Sequence, residues 1–296
     1  MTAGGLPRRA VVTGANTGLG LATSTALAAA GWSVTLAVRS PAKGHAAAAG
    51  IRAQVPGADL QVRRIDLADL GSVRSFADEW RGPLAVLVNN AGVMLAPERE
   101  LTPAGLEQQI GVNHFGHYLL TARLLPALAE GAGRVVSVSS IAHRAVRRLD
   151  RKLNLAGRYT PMGAYGQSKL AVLMFALELD RRLLAAHSPV TSVAAHPGWS
   201  ATETLSPGDR GDTPGPLVWL ARRVSQLLGS SAAHGARSQV LAATAPRLPG
   251  GSYYGPRFGL YGRPHRAAPS RAARNADDAR WLFDTSAEIT GETIRD

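Results

Sequence analysis

An α/β fold, built as a doubly wound parallel β-sheet with helices on both faces and a small substrate lid, is the class this 296-residue sequence predicts. Three observations carry the prediction. Short valine-rich runs alternate with longer stretches at helical spacing, the order that βαβ units require. Right-handed crossovers between such units place ligand sites beyond the carboxyl ends of the strands. The polar motifs of the chain fall at those ends.

The expected strands are 9–14, 33–38, 60–66, 84–92, 133–140 and 190–198, and the expected helices 18–30, 41–54, 70–80, 102–130 and 162–186. No internal repeat or long low-complexity linker divides the chain, so one domain spanning 1–296 is expected. Within it, 203–236 starts rich in Pro and Gly, turns amphipathic, and reads as an inserted lid. The Arg- and Asp-rich tail 263–296 is expected to pack peripherally.

The formal charge is +12, from 33 Lys and Arg against 21 Asp and Glu. Arginines are scattered without aromatic interleaving or a reader motif, which argues against nucleic acid as a partner. The absence of cysteine excludes disulfides, thiolate catalysis and cysteine metal ligands. His114 and His117 stand three apart without a suitably placed third ligand, so no metal is expected. The opening residues lack the order of a secretory signal, and no run of about eighteen apolar residues occurs, so no membrane span is expected and a cytoplasmic location is the simplest reading. The tripeptide Arg-Gly-Asp at 210–212 is then coincidence.

After the first strand comes "TGANTGLG". Gly14, Gly18 and Gly20 let the backbone turn sharply and approach a ligand, and the following helix N-terminus offers N–H groups to a pyrophosphate. Asn16, Thr17 and Leu19 complete this candidate cofactor turn. The spacing, Gly-x3-Gly-x-Gly, is a variant of the commoner dinucleotide turn. The second strand ends with Val38 where an acid would take the ribose hydroxyls, followed by Arg39, a base able to accept a 2′-phosphate. That favours NADP(H) over NAD(H), against the alternative that Arg39 simply faces solvent.

Tyr165 and Lys169, in "YGQSK", share one face of a helix. A free phenol ionises near pH 10, too high for a proton shuttle at neutral pH, and an ammonium one turn away favours the phenolate. Such a pair also arises by chance on solvated helices. Further polar residues stand at strand ends or on neighbouring helices: Ser139 and Ser140, "NNAG" at 89–92, Asn113, and "HPGWSAT" at 196–202.

With TGxxxGxG at 13–20, Asp66, NNAG, Asn113, Ser140, YxxxK at 165–169 and PG at 197–198 in that order, essentially the whole chain resembles the short-chain dehydrogenase/reductase superfamily. The stretches "TLAVRSPAKG", "SIAHR" and "HPGWSATETL" resemble its retinol dehydrogenase-like branch, which includes NADPH-dependent carbonyl reductases. The resemblance implies a Rossmann fold and a hydride-transferring cofactor. It implies that Tyr165 is the general acid in carbonyl reduction and the general base in alcohol oxidation. Ser140 would hold the substrate oxygen. Lys169 would act on the tyrosine and bind the nicotinamide ribose, and Asn113 would position a relay water. Asp66 and Leu67 would flank the adenine, Asn90, Ala91 and Gly92 would line the cofactor trough, and Pro197, Ser200 and Thr202 would hold the carboxamide end. Ser140 is matched as the second serine of the pair, with a swap to Ser139 left open by register.

Ser140 and Tyr165 lie 25 positions apart, about twice the usual interval in the superfamily. The additional basic excursion, about 142–158, reads as a solvated surface in preference to a clamp for an anionic substrate. Monomer and homodimer both remain open. Val93, Met94, Leu95, Trp199 and Leu217, Val218, Trp219 and Leu220 form the expected apolar wall, suited to a hydrophobic aldehyde, ketone or alcohol. Two alternatives stand beside this reading. One is reduction of an activated C=C bond, disfavoured by the Tyr–Lys spacing for enoyl reductases and by the lack of cysteine for the protochlorophyllide type. The other is a non-catalytic NADPH sensor, disfavoured by the intact set of four catalytic candidates.

Overall fold

A computed structural model describes residues 8–198 and 232–294. The expected contacts Trp199, Ser200, Thr202 and Leu217 to Leu220, the tripeptide 210–212 and the lid up to 231 lie outside the described residues. One eight-stranded sheet runs in the order β3-β2-β1-β4-β5-β6-β7-β8. Its strands are β1 (Arg9–Thr13), β2 (Ser33–Val38), β3 (Leu60–Arg64), β4 (Val86–Asn89), β5 (Arg134–Val138), β6 (Thr191–Ala195), β7 (Tyr253–Pro256) and β8 (Pro264–Ala267). All neighbours pair in parallel except β7 with β8. The chain reverses direction across the sheet between β1 and β4, which opens a crevice at their carboxyl ends.

The valine-rich runs are strands because both of their faces are buried. Val11, Leu87 and Val135 face one apolar cluster. Ala10, Val12, Val86, Val88 and Val136 face the other. This is the period-two split of a strand covered on both sides. Helices α1 (Gly18–Ala29) and α2 (Pro41–Gln54) cover the second face. Ala47, Ala48 and Gly44 let α2 lie close to the sheet, and a Cβ on Gly44 would stand 2.6 Å from Val62 Cγ1. Helices α3 (Leu70–Asp78), α5 (Gly116–Glu130) and α6 (Pro161–Ala185) cover the first.

Four expectations change. The helix expected at 102–130 begins at Gln108, because Pro103 and Gly105 (φ +74°) turn the chain and Leu101 bridges Glu107. Glu107 caps the new start, accepting from Gln109 and Ile110 N–H at 2.9 and 3.1 Å. The short α4 (Gln108–Ile110) then passes through a π-helical turn, Gly111–Phe115, into α5. The tail is not peripheral: it supplies edge strand β8 and a final helix, Ala276–Thr290, whose Phe283 is 1% exposed in the core.

The end of the expected lid belongs to the body. Ala232–Gly235 forms α7, packed on α1, and Arg237–Thr244 forms α8, so the final helix at 276–290 is α9. The basic excursion is solvated only on its charged side. Arg147, Arg148, Arg151, Lys152 and Arg158 are exposed, while Leu149, Leu153 and Leu155 are buried, the first two in a third apolar cluster against α6 and α9. Arg151 pairs with Asp278 of α9 at 2.9 Å. Among the described residues, no helix is long and apolar enough to cross a membrane, and no group of metal-ligating side chains occurs.

Candidate active site

The glycine turn joins β1 to α1 at the crevice. Gly14 and Gly18 adopt φ of +65° and +55°, a region that favours glycine. A Cβ on Gly20 would stand 2.3 Å from Gly14 O and 2.6 Å from Asn90 Nδ2, so only glycine lets α1 approach this closely. Helices α2, α3 and α6 begin with Ser40, Asp69 and Thr160, each accepting a helix N–H. Thr17, at the start of α1, makes no such bond, and no acid occupies the first turn. Among the described residues the N–H groups of that turn thus have no capping side chain, which fits an anionic group at this end. Asn16 is half-buried and Leu19 is buried against the turn.

At the end of β2, Val38 is buried and Arg39 is exposed. Asp66, just past β3, accepts from Ala68 N–H at 3.1 Å and so stiffens its own turn, while Leu67 packs beneath Gly116. Asn90 Nδ2 donates to Thr13 O at 2.8 Å, and its Oδ1 accepts from Gln239 of α8 at 3.2 Å. Gln239, buried and also reaching Leu19 O at 3.4 Å, ties α8 to both cofactor-side loops. Nothing in the sequence around Gln239 marks it, because its role exists only across 149 positions of separation.

Tyr165 and Lys169 are both 5% exposed on α6. The ammonium lies 5.7 Å from the Tyr165 ring centroid and donates to Val138 O at the end of β5, at 2.9 Å. Asn113 sits in the π-helical turn, which carries its side chain away from α5 toward the loop after NNAG. Its Oδ1 accepts from Val93 N–H at 2.8 Å, and its Nδ2 donates to Val93 O and to Ser168 Oγ, each at 2.9 Å. Ser168 in turn donates to Tyr165 O at 2.9 Å. A Cβ on Gly92 would lie 3.0 Å from Asn113 Oδ1 and 3.4 Å from Lys169 Nζ, so amide and ammonium converge over a glycine that leaves them room.

The two serines part company. Ser139 Oγ donates to Lys169 O at 2.7 Å and is fully buried. Ser140 Oγ accepts from Ala142 N–H at 3.3 Å, which leaves its proton without an acceptor among the described residues. Below it, His143 Nδ1 donates to Ser140 O at 2.6 Å and steadies the strand end. Pro197 is buried, and Gly198 turns at φ +76° against Leu260 O. Val93, Met94 and Leu95 are half-buried beside Asn113.

The structure thus brings Asn113, Ser140, Tyr165 and Lys169 to the carboxyl ends of β4 and β5, next to the glycine turn. Ser168, His143 and Gln239 join them without having been singled out in the sequence, and so does His117, which the sequence raised only as a metal ligand to be dismissed.

The family described as short chain dehydrogenase matches residues 8–211. A polyprenol dehydrogenase of Mus musculus is 40% identical over 96% of this chain and 84% of its own length. Retinol dehydrogenase 13 of Homo sapiens is 38% identical over 98% of this chain and 89% of its own length. A crystal structure of an uncharacterized protein from Mycobacterium Paratuberculosis superposes with a TM-score of 0.82 at 42% identity, covering 100% of this chain and 99% of that one. The family match over more than half of the chain and identities near 40% along nearly its whole length place the chain in the short-chain dehydrogenase/reductase family, among its retinol dehydrogenase-like members.

Proposed function

We propose that this oxidoreductase uses NADP(H) to interconvert a hydrophobic aldehyde or ketone and its alcohol, with Tyr165 moving the proton. The observation that carries the reading is the convergence of Lys169 Nζ and Asn113 Oδ1 over Gly92, with Tyr165 one turn away on the same helix.

Gly14 to Gly20 and the open N-terminus of α1 would hold the pyrophosphate, Arg39 the 2′-phosphate, and Asn90 to Gly92 the trough. Asp66 and Leu67 would border the adenine, and Pro197, with Ser200 and Thr202, the carboxamide end. Bound there, the cofactor supplies or accepts the hydride. Ser140 donates its proton to the substrate oxygen and stabilises charge developing there. The phenol of Tyr165 donates to that oxygen in reduction and accepts from it in oxidation. Lys169, anchored by Val138 O, stabilises the phenolate left behind. Asn113, held on two sides by Val93 and Ser168, orders the path by which the proton is replaced. The half-buried Val93, Met94 and Leu95 favour an apolar substrate, and the similarity to a polyprenol dehydrogenase and a retinol dehydrogenase points the same way.

The test is oxidation of NADPH against a panel of hydrophobic aldehydes and ketones, with NADH and Tyr165→Phe in parallel. The expected outcome is turnover that prefers NADPH and falls at least about a thousandfold in Tyr165→Phe, with NADPH affinity within about threefold of the parent. A fully active Tyr165→Phe variant sinks the mechanism.

A further inference from the structure

His117 stands in the first turn of α5, immediately after the π-helical turn that presents Asn113, and is 3% exposed. Its two ring nitrogens face different parts of the site. Nδ1 lies 3.0 Å from the main-chain carbonyl of Asn113, and Nε2 lies 2.8 Å from Thr13 Oγ1. The same hydroxyl accepts from the N–H groups of Asn90 and Ala91, each at 2.9 Å.

These contacts admit one proton arrangement. A carbonyl has no proton to give, so Nδ1 must be the protonated nitrogen and Nε2 the bare one. The Thr13 oxygen already receives two N–H groups, and its own proton then goes to Nε2 in preference to Val88 O, which is farther away at 3.3 Å. The opposite tautomer would set two lone pairs against each other at Asn113. Burial, with a smaller contribution from the Lys169 ammonium, keeps the ring neutral by pushing its pKa down to about 4. The result is a chain of donors running one way, from the Asn90–Ala91 turn through Thr13 and His117 to Asn113 O, in which each bond polarises the next.

Thr13 and Asn90–Ala91 belong to the cofactor side of the crevice, and Asn113 to its proton-handling side. We propose that His117 is a positioning residue that fixes these two halves of the site relative to each other, holding the NNAG turn through Thr13 and the Asn113 carbonyl through Nδ1. This inference rests on the proposed function, its affinity arm on NADP(H) as the cofactor and its kinetic arm on turnover.

Two isosteric substitutions separate the two links. The amide nitrogen of asparagine falls near Nδ1, so His117→Asn keeps the bond to Asn113 O and loses Thr13. The amide of glutamine reaches the place of Nε2, so His117→Gln keeps Thr13 and loses Asn113. His117→Leu removes both. For each variant, NADPH affinity is measured by fluorescence titration without substrate, kcat at saturating NADPH, and Tm.

His117→Asn is expected to raise the NADPH Kd about tenfold while keeping kcat within about threefold of the parent. His117→Gln is expected to do the reverse, and His117→Leu to lose both. Core packing alone would move Kd and kcat together in proportion to Tm. Equal behaviour of the two amide variants, losses that follow Tm, or parental values in all three overturn the proposal. If the parent protein turns over no substrate, the functional reading fails; the contrast in NADPH affinity between His117→Asn and His117→Gln still decides the positioning role.

Discussion

Ser139 donates its hydroxyl proton to the main-chain carbonyl of Lys169 at 2.7 Å, whereas the adjacent Ser140 makes no bond to α6 among the described residues. The strand end thus separates two chemically identical side chains into a tether and a free donor. Ser140→Ala is expected to lower kcat/KM about a hundredfold or more, with little change in Tm. Ser139→Ala should instead cost about 1 kcal/mol of stability, the net worth of one buried hydrogen bond to a carbonyl that keeps its partner within α6. Paired kinetic and denaturation measurements would show the reverse pattern if the roles are exchanged.

Arg39 is exposed at the end of β2, beside a buried Val38 that offers no carboxylate. Arg39→Ala should weaken NADPH binding about tenfold or more while leaving NADH unchanged, since only the 2′-phosphate distinguishes the two. Isothermal titration with both cofactors is the check. Equal losses for both would remove Arg39 from the specificity argument.

Acid should destabilise the fold through its buried histidines. Burial pushes His114 and His196 from 6.5 down to about 3, and His117 from 6.5 to about 4. Between those values the unfolded chain binds protons that the folded chain refuses. Their contribution is therefore fully present above about pH 6.5 and is lost as pH falls toward 4. At pH 5 each of the three lowers stability by about 2 kcal/mol, a figure set by the unfolded value alone. Burial also lowers the pKa of His143, so four histidines contribute. Urea midpoints measured from pH 7.5 to 5 should fall steeply, and His114→Gln should flatten the fall by about a quarter to a third. An unchanged slope in that variant would assign the acid sensitivity elsewhere.

Phe283 of α9 lies 5.3 Å from the Tyr118 ring, edge-on, and stacks on Phe175 at 6.0 Å. The Arg182 guanidinium covers it, 4.1 Å from the ring centroid. Phe283→Ala is expected to cost about 3–5 kcal/mol, the loss typical of a buried aromatic. A cost below 1 kcal/mol by denaturant titration would return the tail to a peripheral role.

Residue order alone carried the sheet class, the glycine turn and the family, because each is written in spacings of a few residues. Valine runs specify strands covered on both faces, and Gly14, Gly18 and Gly20 specify a turn that side chains would block. Tyr165 and Lys169 need only helical periodicity to share a face. Tertiary contacts decided the rest. The tail was misjudged because its Arg and Asp residues dominate composition, while burial depends on the few apolar positions, such as Leu282 and Phe283, that meet α5 and α6. The helix start at Gln108 depended on Glu107 turning back to cap it. Which of Ser139 and Ser140 is tethered to α6 depended on which hydroxyl meets the Lys169 carbonyl, 30 positions away. The part played by His117 depended on Thr13, 104 positions away. A hydrogen bond acts over about 3 Å of space and is blind to separation along the chain, so such partners become legible only once the fold has placed them.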